Sequence, residues 1–228
     1  MKWKNKFNYP KSTRSIEDGY RKYSFGEEKL PSVTTILSAT KSEEEKAALA
    51  NRRDRVGYKE ANRIKTEASS RGTSIHSYIE DYLRGRINES FFESNEQYKN
   101  MAKEIIEKGI DNKLDEIYGI EETLYYPEQY AGTADLIGVY QGNDVVIDFK
   151  QSNKPKKIDY IQDYFLQLGA YTLAHDVVHR TKMKAGIILL CTKDILFQEF
   201  KIEGAELEMY QNLFMGRVKK FYEMNNIT

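Results

Sequence analysis

The feature of this sequence that most constrains its fold is an apolar run that ends in Asp148-Phe149-Lys150. Side chains alternate between the two faces of a β-strand, so Asp148 and Lys150 lie on one face while Phe149 points into the core. A turn at residues 141–143 folds the preceding strand, which carries Asp135, back beside this one. The sequence therefore predicts that two carboxylates and one ammonium group converge at one end of a small sheet.

These groups are suited to the hydrolysis of a phosphodiester. Carboxylate oxygens bind hard cations such as Mg²⁺ or Mn²⁺, and a lysine beside such a cation can act on a water molecule or neutralise a phosphate. Taken alone, an acid and a lysine two residues apart on a strand more often form only a cross-strand ion pair. The nuclease hypothesis therefore depends on a longer pattern in compact order, which comprises Gly132-x-x-Asp135, the turn, Asp148-x-Lys150 and Gln167-x-x-x-Tyr171.

With this pattern the sequence resembles the PD-(D/E)XK nuclease superfamily, specifically the RecB-like branch that includes mitochondrial and phage exonucleases. The resemblance covers roughly residues 20–175 and includes two further segments, Leu30–Leu37 and Arg71–His76. The second acid is Asp148, where many members have glutamate, and both acids occur in the superfamily. The resemblance implies an α/β fold with a restriction-endonuclease-like core, in which a mixed β-sheet is flanked by helices and preceded by a helical N-terminal region.

The resemblance also implies a metal-dependent DNA exonuclease that acts on single-stranded or end-containing DNA in replication, repair or recombination. Three alternatives stay open: an endonuclease, a nuclease that acts on RNA, and a non-catalytic nucleic-acid-binding module of the same fold. By resemblance, Mg²⁺ or Mn²⁺ is held by His76, Asp135, Asp148 and the carbonyl oxygen of Phe149, and the catalytic set is Lys150, Asp148, Asp135, Gln167 and Tyr171, with Lys150 acting on the attacking water.

A chain of 228 residues is long enough for one domain with a substantial core. We expect a single domain over residues 1–228, with a mainly helical part at 1–116 and a sheet core with the metal site and a C-terminal helix at 117–228. Charged residues make up 31% and hydrophobic residues 40%, which is typical of a globular protein in water. No apolar run reaches the length that spans a bilayer, and residues 1–6 lack the apolar segment of a signal peptide.

Cys191 is the only cysteine, so the chain has neither an internal disulfide nor the four cysteines of an iron–sulfur cluster. We therefore expect an intracellular, cytoplasmic protein with no membrane partner and no iron–sulfur cluster. The resemblance to phage exonucleases adds the host cytoplasm as a setting.

The net charge is zero, with 35 basic and 35 acidic residues, so DNA binding requires a local basic surface. A helix that runs from the capping box Ser42–Glu45 toward Ile64 aligns four basic residues on one face, and a loop directly after Lys150 carries more. For the helix, a solvated face without DNA contact is the alternative. Candidate DNA contacts are Arg52, Arg55, Lys59 and Arg63 on the helix, Arg71 in the next segment, and Lys154, Lys156 and Lys157 in the loop.

Two more helix starts are predicted before the sheet. Ser32 is placed to cap a short helix that continues through Leu37. Residues 70–73 interrupt the helical pattern, and Thr73 caps a new helix that carries His76.

Acidic residues are further candidates for the surroundings of His76. Glu80 lies one helical turn after His76 and is a candidate outer partner for it. Glu121 and Glu122 lie on the first strand of the sheet and could add a carboxylate to the metal site, although an exposed pair on an edge strand is the more common arrangement.

Residues 1–18 mix basic and aromatic side chains, which fits either an arm that follows a DNA strand or a terminal edge strand. His175 and His179 have no partners at metal-ligand spacing and receive no role. The other predicted elements are a hairpin at 19–29, helices at 94–116 and 159–175, a hairpin from 185–191 and 195–202, and a C-terminal helix with Leu207, Tyr210, Phe214, Val218 and Phe221 on one face.

Overall fold

The computed structural model describes residues 2–17, 19–86 and 95–225. The strands are β1 (Lys2–Trp3), β2 (Thr13–Glu17), β3 (Tyr20–Phe25), β4 (Glu28–Pro31), β5 (Leu114–Tyr126), β6 (Tyr130–Tyr140), β7 (Asn143–Ser152), β8 (Ala185–Thr192) and β9 (Phe197–Glu203). The main sheet has six strands in the order β1-β5-β6-β7-β8-β9, and a second sheet has three strands in the order β2-β3-β4. In the main sheet, β1 pairs with β5 and β7 with β8 in parallel, whereas the other neighbours are antiparallel.

Helices cover both faces of the main sheet. Buried side chains of β7 alternate between the two faces of the sheet. Val145 and Ile147 pack against the third and fourth helices of the chain, and Val146 packs on the opposite face against the first, fifth and sixth helices. This is the restriction-endonuclease-like α/β core that the sequence predicts, with a mixed sheet between two helical layers. The helices are α1 (Val33–Ala39), α2 (Glu43–Val56), α3 (Tyr58–Leu83), α4 (Glu96–Ile105), α5 (Gln162–His179) and α6 (Gly204–Met224), with a π-helical turn at Ile106–Ile110 and a 3-10 turn at Ile158–Tyr160.

The N-terminal part, which the sequence predicts to be mainly helical, also contains the strands β1 to β4. Strands β2, β3 and β4 form an antiparallel sheet, and Tyr23 and Leu30 from it pack on Ala131 of β6. The predicted hairpin at 19–29 corresponds to β3 and β4, which turn after Phe25 and extend to Pro31. At the start of the chain, β1 lies at the edge of the main sheet, so the terminal edge strand is the arrangement observed there.

Helix α2 begins at the predicted capping box but ends earlier than predicted. Ser42 Oγ accepts from the Glu45 N–H at 3.1 Å, and Glu45 Oε2 accepts from the Ser42 N–H at 2.8 Å. The helix stops at Val56 because Gly57 adopts φ 82°, and α3 starts immediately after it. The prediction of one helix toward Ile64 is therefore wrong.

The predicted interruption at 70–73 is also wrong, because α3 passes through it without a break. The Thr73 hydroxyl donates to the carbonyl of Ser69 inside the helix at 3.1 Å rather than capping a new one. Burial of Ile75 and Ile79 against the sheet outweighs the weak helix propensity of Gly72.

Later elements follow the predictions more closely. The predicted helix at 94–116 is shorter, since α4 begins at Glu96 and β5 already starts at Leu114; residue 94 lies outside the described residues. The C-terminal helix buries the five side chains that were expected to share a face. In the described part of the chain, no helix combines the length and apolar character needed to cross a membrane.

Candidate active site

The site forms where β6 and β7 separate. Their pairing ends at Leu136 and Ile147, and the next residues, Asp135 and Asp148, are both buried. Oδ2 of Asp135 accepts a hydrogen bond from the backbone N–H of Phe149 at 2.7 Å. The carboxylate thus satisfies a buried donor next to the point where the strands stop pairing, which fixes Asp135 against β7.

His76 approaches this point from α3. Its Nε2 lies 2.9 Å from the carbonyl oxygen of Phe149. Because a carbonyl only accepts, Nε2 carries the proton, and in the neutral ring Nδ1 is the free nitrogen. Nδ1 lies 3.6 Å from Oδ2 of Asp135 and 3.8 Å from Oε1 of Glu121.

These three side chains form a group that could hold a metal ion. The ligand atoms of His76, Glu121 and Asp135 all lie within 4.8 Å of one another. A histidine that ligates a metal through one nitrogen commonly donates its other N–H to a carbonyl, and the carbonyl of Phe149 occupies that position. Here Phe149 orients His76, and its expected role as a direct metal ligand stays a prediction.

Glu121 takes the place that the sequence suggested for Glu80. Glu80 instead accepts a hydrogen bond from Arg84 Nε at 2.8 Å. Glu121 has φ 56°, so the side chains of its strand do not simply alternate between the two faces at that residue. The prediction that Glu121 and Glu122 form an exposed pair on an edge strand therefore misses the position of Glu121 beside His76. β5 is also an interior strand, since it lies between β1 and β6.

On the other side of the site, helix α5 holds Asp148 and Lys150. The Lys150 ammonium group contacts Oδ2 of Asp148 and donates to Oε1 of Gln167 at 3.3 Å. Nε2 of Gln167 donates to Oδ1 of Asp148 at 3.0 Å and to the Tyr171 hydroxyl at 3.2 Å. The ring centroid of Tyr164 lies 5.0 Å from the ammonium nitrogen. The structure therefore brings together the strand and helix residues that the sequence predicted for the site.

Asp148 is a buried carboxylate that already lies beside a positive charge. Its Oδ2 contacts the Lys150 ammonium group, which offsets part of the cost of burying the carboxylate. The donor set of imidazole and carboxylates also suits a divalent ion such as Mg²⁺ or Mn²⁺.

The buried charges shift one another's protonation. Burial raises the pKa of Asp148 to about 6, and it raises the pKa of Asp135 above its usual range. Burial alone would lower the pKa of His76, but Asp135 and Glu121 favour the imidazolium and raise its pKa to about 9. For Lys150, burial also lowers the pKa, but the two aspartates outweigh it, so the ammonium form persists at neutral pH.

The expected basic helix face is divided between two helices. Arg52 and Arg55 lie on α2, whereas Lys59 and Arg63 lie on α3 beyond the bend at Gly57. All four side chains are exposed, and Arg63 forms ion pairs with Glu60 and Glu67. The single narrow face on which the prediction relied is not present.

The other candidate DNA contacts differ in exposure. Lys154 and Lys157 are exposed and Lys156 is partly exposed in the loop after β7. Arg71 is 1% exposed and lies inside the protein, so it does not present its guanidinium group to a surface ligand. Its burial corrects the expectation that Arg71 belongs to the basic surface.

Comparison with known proteins identifies relatives. The chain is similar to mitochondrial genome maintenance exonuclease 1 of Xenopus tropicalis (29% identity over 179 residues), Homo sapiens (28% over 185) and Mus musculus (30% over 176), with 72% of this chain aligned in each case. These alignments cover 49%, 50% and 50% of the relatives, so the chain spans about half of their length.

No family model matches the chain. A solved structure, "Crystal structure of SSO0001", covers 54% of this chain and 57% of that chain with 20% identity and a TM-score of 0.33, which is too low to carry a conclusion. The three curated relatives confirm the resemblance seen in the sequence motifs: over 72% of its length the chain is similar to mitochondrial genome maintenance exonucleases, which are PD-(D/E)XK nucleases.

Proposed function

We propose that this chain is a metal-dependent deoxyribonuclease that removes nucleotides from DNA ends. The observation that carries the proposal is the convergence of Asp135, Asp148, Lys150 and His76 where β6 and β7 separate. Each of these groups is buried or half-buried and held by named partners, as a preorganised site requires.

We assign Mg²⁺ or Mn²⁺ to His76, Asp135, Glu121 and Asp148. The bound cation supplies Lewis-acid chemistry that stabilises negative charge on the scissile phosphate. Asp135 and Asp148 contribute the negative charge that attracts the cation, and the hydrogen bond to the carbonyl of Phe149 keeps His76 Nδ1 directed at the carboxylates.

Lys150 acts on the phosphate and the attacking water in this proposal. Its ammonium group is held by Asp148 and Gln167, so it sits beside the carboxylates as a fixed positive charge. Such a charge orients the nucleophile and offsets the negative charge that develops on the phosphate. Tyr171 has no direct chemical step and holds Gln167 in place.

The preference for DNA ends is supported by the names of the relatives, which are exonucleases of genome maintenance. Action on single strands is part of the proposal and is tested below. Roles in replication, repair or recombination belong to the same proposal. The exposed basic residues are assigned to phosphate contacts that do not depend on base sequence. They are Arg52, Arg55, Lys59, Lys154 and Lys157, together with the partly exposed Lys156, and Arg63 contributes after exchange of its surface ion pairs.

The test compares end-labelled linear single-stranded DNA with the same strand circularised, in Mg²⁺, in Mn²⁺ and in EDTA. The expected result is metal-dependent loss of the linear form alone. A matched Lys150→Ala variant is expected to retain DNA binding and to lose cleavage, which controls for a contaminating nuclease.

Other results would lead to other functions. Cutting of both forms would make the chain an endonuclease, and cutting of an RNA strand of the same sequence at an equal rate would remove the preference for DNA. DNA binding without cleavage in any metal would indicate a non-catalytic module.

A further inference from the structure

Arg71 is among the largest fully buried side chains of the described residues, and it lies about 1.4 helical turns before His76 on α3. Its Nε donates to Oε1 of Gln151 at 2.5 Å, and its Nη2 donates to Oδ1 of Asn153 at 2.6 Å. Its Nη1 lies 3.3 Å from Oε1 of Glu67. The guanidinium group therefore has a partner on each of its three nitrogens.

Only arginine can make this set of contacts. A guanidinium group presents five N–H donors in a rigid plane, whereas a lysine ammonium group is a single point with three donors on a flexible stem. Gln151 is fixed from its other end as well, because its Nε2 donates to the carbonyl of Ala68 on α3 at 3.0 Å. The amide of Gln151 is thus clamped between two points of the same helix.

The contacts of Arg71 join the two halves of the proposed site. Helix α3 carries His76, and strand β7 carries Asp148, Phe149 and Lys150 immediately before Gln151. Asn153 begins the exposed loop that contains Lys154 and Lys157. One buried side chain therefore connects the helix of the candidate metal ligand, the strand of the candidate catalytic lysine and the candidate phosphate-binding loop.

We propose that Arg71 is a positioning residue that sets the distance between His76 on α3 and Lys150 on β7, and that it does so without touching DNA or metal. The proposal rests on the proposed nuclease function. Displacement of reacting groups by about 1 Å can lower a rate about 100-fold, so a link of this kind affects turnover more than substrate binding.

The test uses Arg71→Lys, which keeps the charge and the pairing with Glu67 but cannot reach Gln151 and Asn153 together. Asn153→Ala removes one contact from an exposed residue, so this variant folds even if Arg71→Lys does not. Arg217→Lys is the matched control. Arg217 also joins two helices, through Nε to Thr40 Oγ1 and Nη2 to the carbonyl of Leu37, but it does so between α6 and α1.

The measurements are kcat and KM for linear single-stranded DNA, Mn²⁺ affinity by calorimetry, and the salt dependence of DNA binding. For Arg71→Lys and Asn153→Ala we expect kcat to fall about 10- to 100-fold with KM and the salt slope unchanged. The double variant should fall no further than the more affected single variant, because both changes break the same link. Arg217→Lys should keep the wild-type kcat even if it is less stable.

A wild-type kcat in both Arg71→Lys and Asn153→Ala would overturn the inference. So would an Arg71→Gln variant with normal kcat and a salt slope reduced by about one, because that pattern identifies a phosphate contact. If the wild-type protein itself neither cuts DNA nor binds Mn²⁺, the proposed function fails, and the positioning role fails with it.

Discussion

Gln167 is the residue on which three groups of the site depend at once. Its amide donates to Asp148 and Tyr171, and its carbonyl oxygen accepts from Lys150. Gln167→Glu keeps the size and the acceptor but replaces the donor to Asp148 with a second negative charge. We expect cleavage to fall about 10- to 100-fold, as is usual for partners that hold a reacting group.

The matched control for this change is Gln162→Glu. Gln162 lies on the same helix and accepts from the Tyr210 hydroxyl, which a carboxylate can also do. Steady-state cleavage of labelled DNA is the measurement, and equal rates for the two variants would remove Gln167 from the site.

The raised pKa of His76 gives metal binding a pH dependence. With a pKa of about 9, His76 is mostly protonated at pH 7 in the metal-free protein, whereas a ligating histidine is neutral. Metal binding must therefore release a proton, and Mn²⁺ affinity should rise with pH, by up to about tenfold per unit between pH 7 and 9.

Titration calorimetry at pH 7 in two buffers of different ionisation enthalpy measures this proton directly. An apparent binding enthalpy that is the same in both buffers would contradict the assignment of His76 as a ligand. A His76→Gln variant serves as the control, since it should bind Mn²⁺ more weakly and release fewer protons.

At the residue scale, the sequence predicts contacts that follow from a fixed backbone period. Asp148 and Lys150 share a strand face because alternation is a property of any β-strand. Glu121 departs from this alternation because its φ is positive, and a glutamate in the sequence gives no sign of such a backbone conformation. Charged residues usually lie at the surface, and only the tertiary structure reveals the buried amide partners of Arg71.

At the scale of elements, helix starts were more predictable than helix interruptions. The cap residues Ser32 and Ser42 act locally, through hydrogen bonds within three residues, so the sequence contains the whole signal. The break at Gly57 and the continuity through Gly72 depend on what each helix packs against. Because α2 buries no residue and α3 buries five, the same residue type ends one helix and continues inside the other.

The contact between β6 and α5 gives an element-scale prediction. A Cβ added at Gly132 would lie 2.6 Å from Cε1 of Tyr171, which is 3% exposed and has little room to move. Gly132→Ala should therefore destabilise the fold by about 1–3 kcal/mol and lower cleavage, because the hydroxyl of Tyr171 accepts from Gln167.

Gly216→Ala is the control, since a Cβ at Gly216 in α6 meets nothing within 4 Å. This exchange should stabilise the protein by up to about 1 kcal/mol and leave cleavage unchanged. Urea unfolding measures both effects, and equal stabilities for the two variants would show that Tyr171 accommodates the added methyl group.

At the scale of the whole molecule, His175 links stability to pH. It lies buried among Phe7, Tyr9 and His179, and burial lowers its pKa to about 3. The unfolded chain takes up a proton below pH 6.5 while the folded protein does not. The contribution of His175 to the free energy of unfolding is therefore fully present above pH 6.5. It is lost as the pH falls toward 3, and the loss is about 2 kcal/mol at pH 5.

Urea unfolding at pH 7 and pH 5 tests this effect. The His175→Asn variant should be less stable at pH 7, because it loses the contact with the Tyr9 hydroxyl, but its loss between the two pH values should be smaller by about 2 kcal/mol. An unchanged loss would mean that His175 titrates normally in the folded protein.

Asp148, Lys150 and Gln167 of the proposed site lie in one continuous stretch of the chain that forms β7, α5 and β8. Within this stretch β7 and β8 pair in parallel. Contacts between parts that are close in the chain form with a smaller loss of entropy than distant ones. We expect this unit to acquire hydrogen-exchange protection first during refolding, and α3 to dock later. Asp148, Lys150 and Gln167 would then be in place before His76 arrives, so the proposed metal site of a newly made chain would be complete only once α3 has docked.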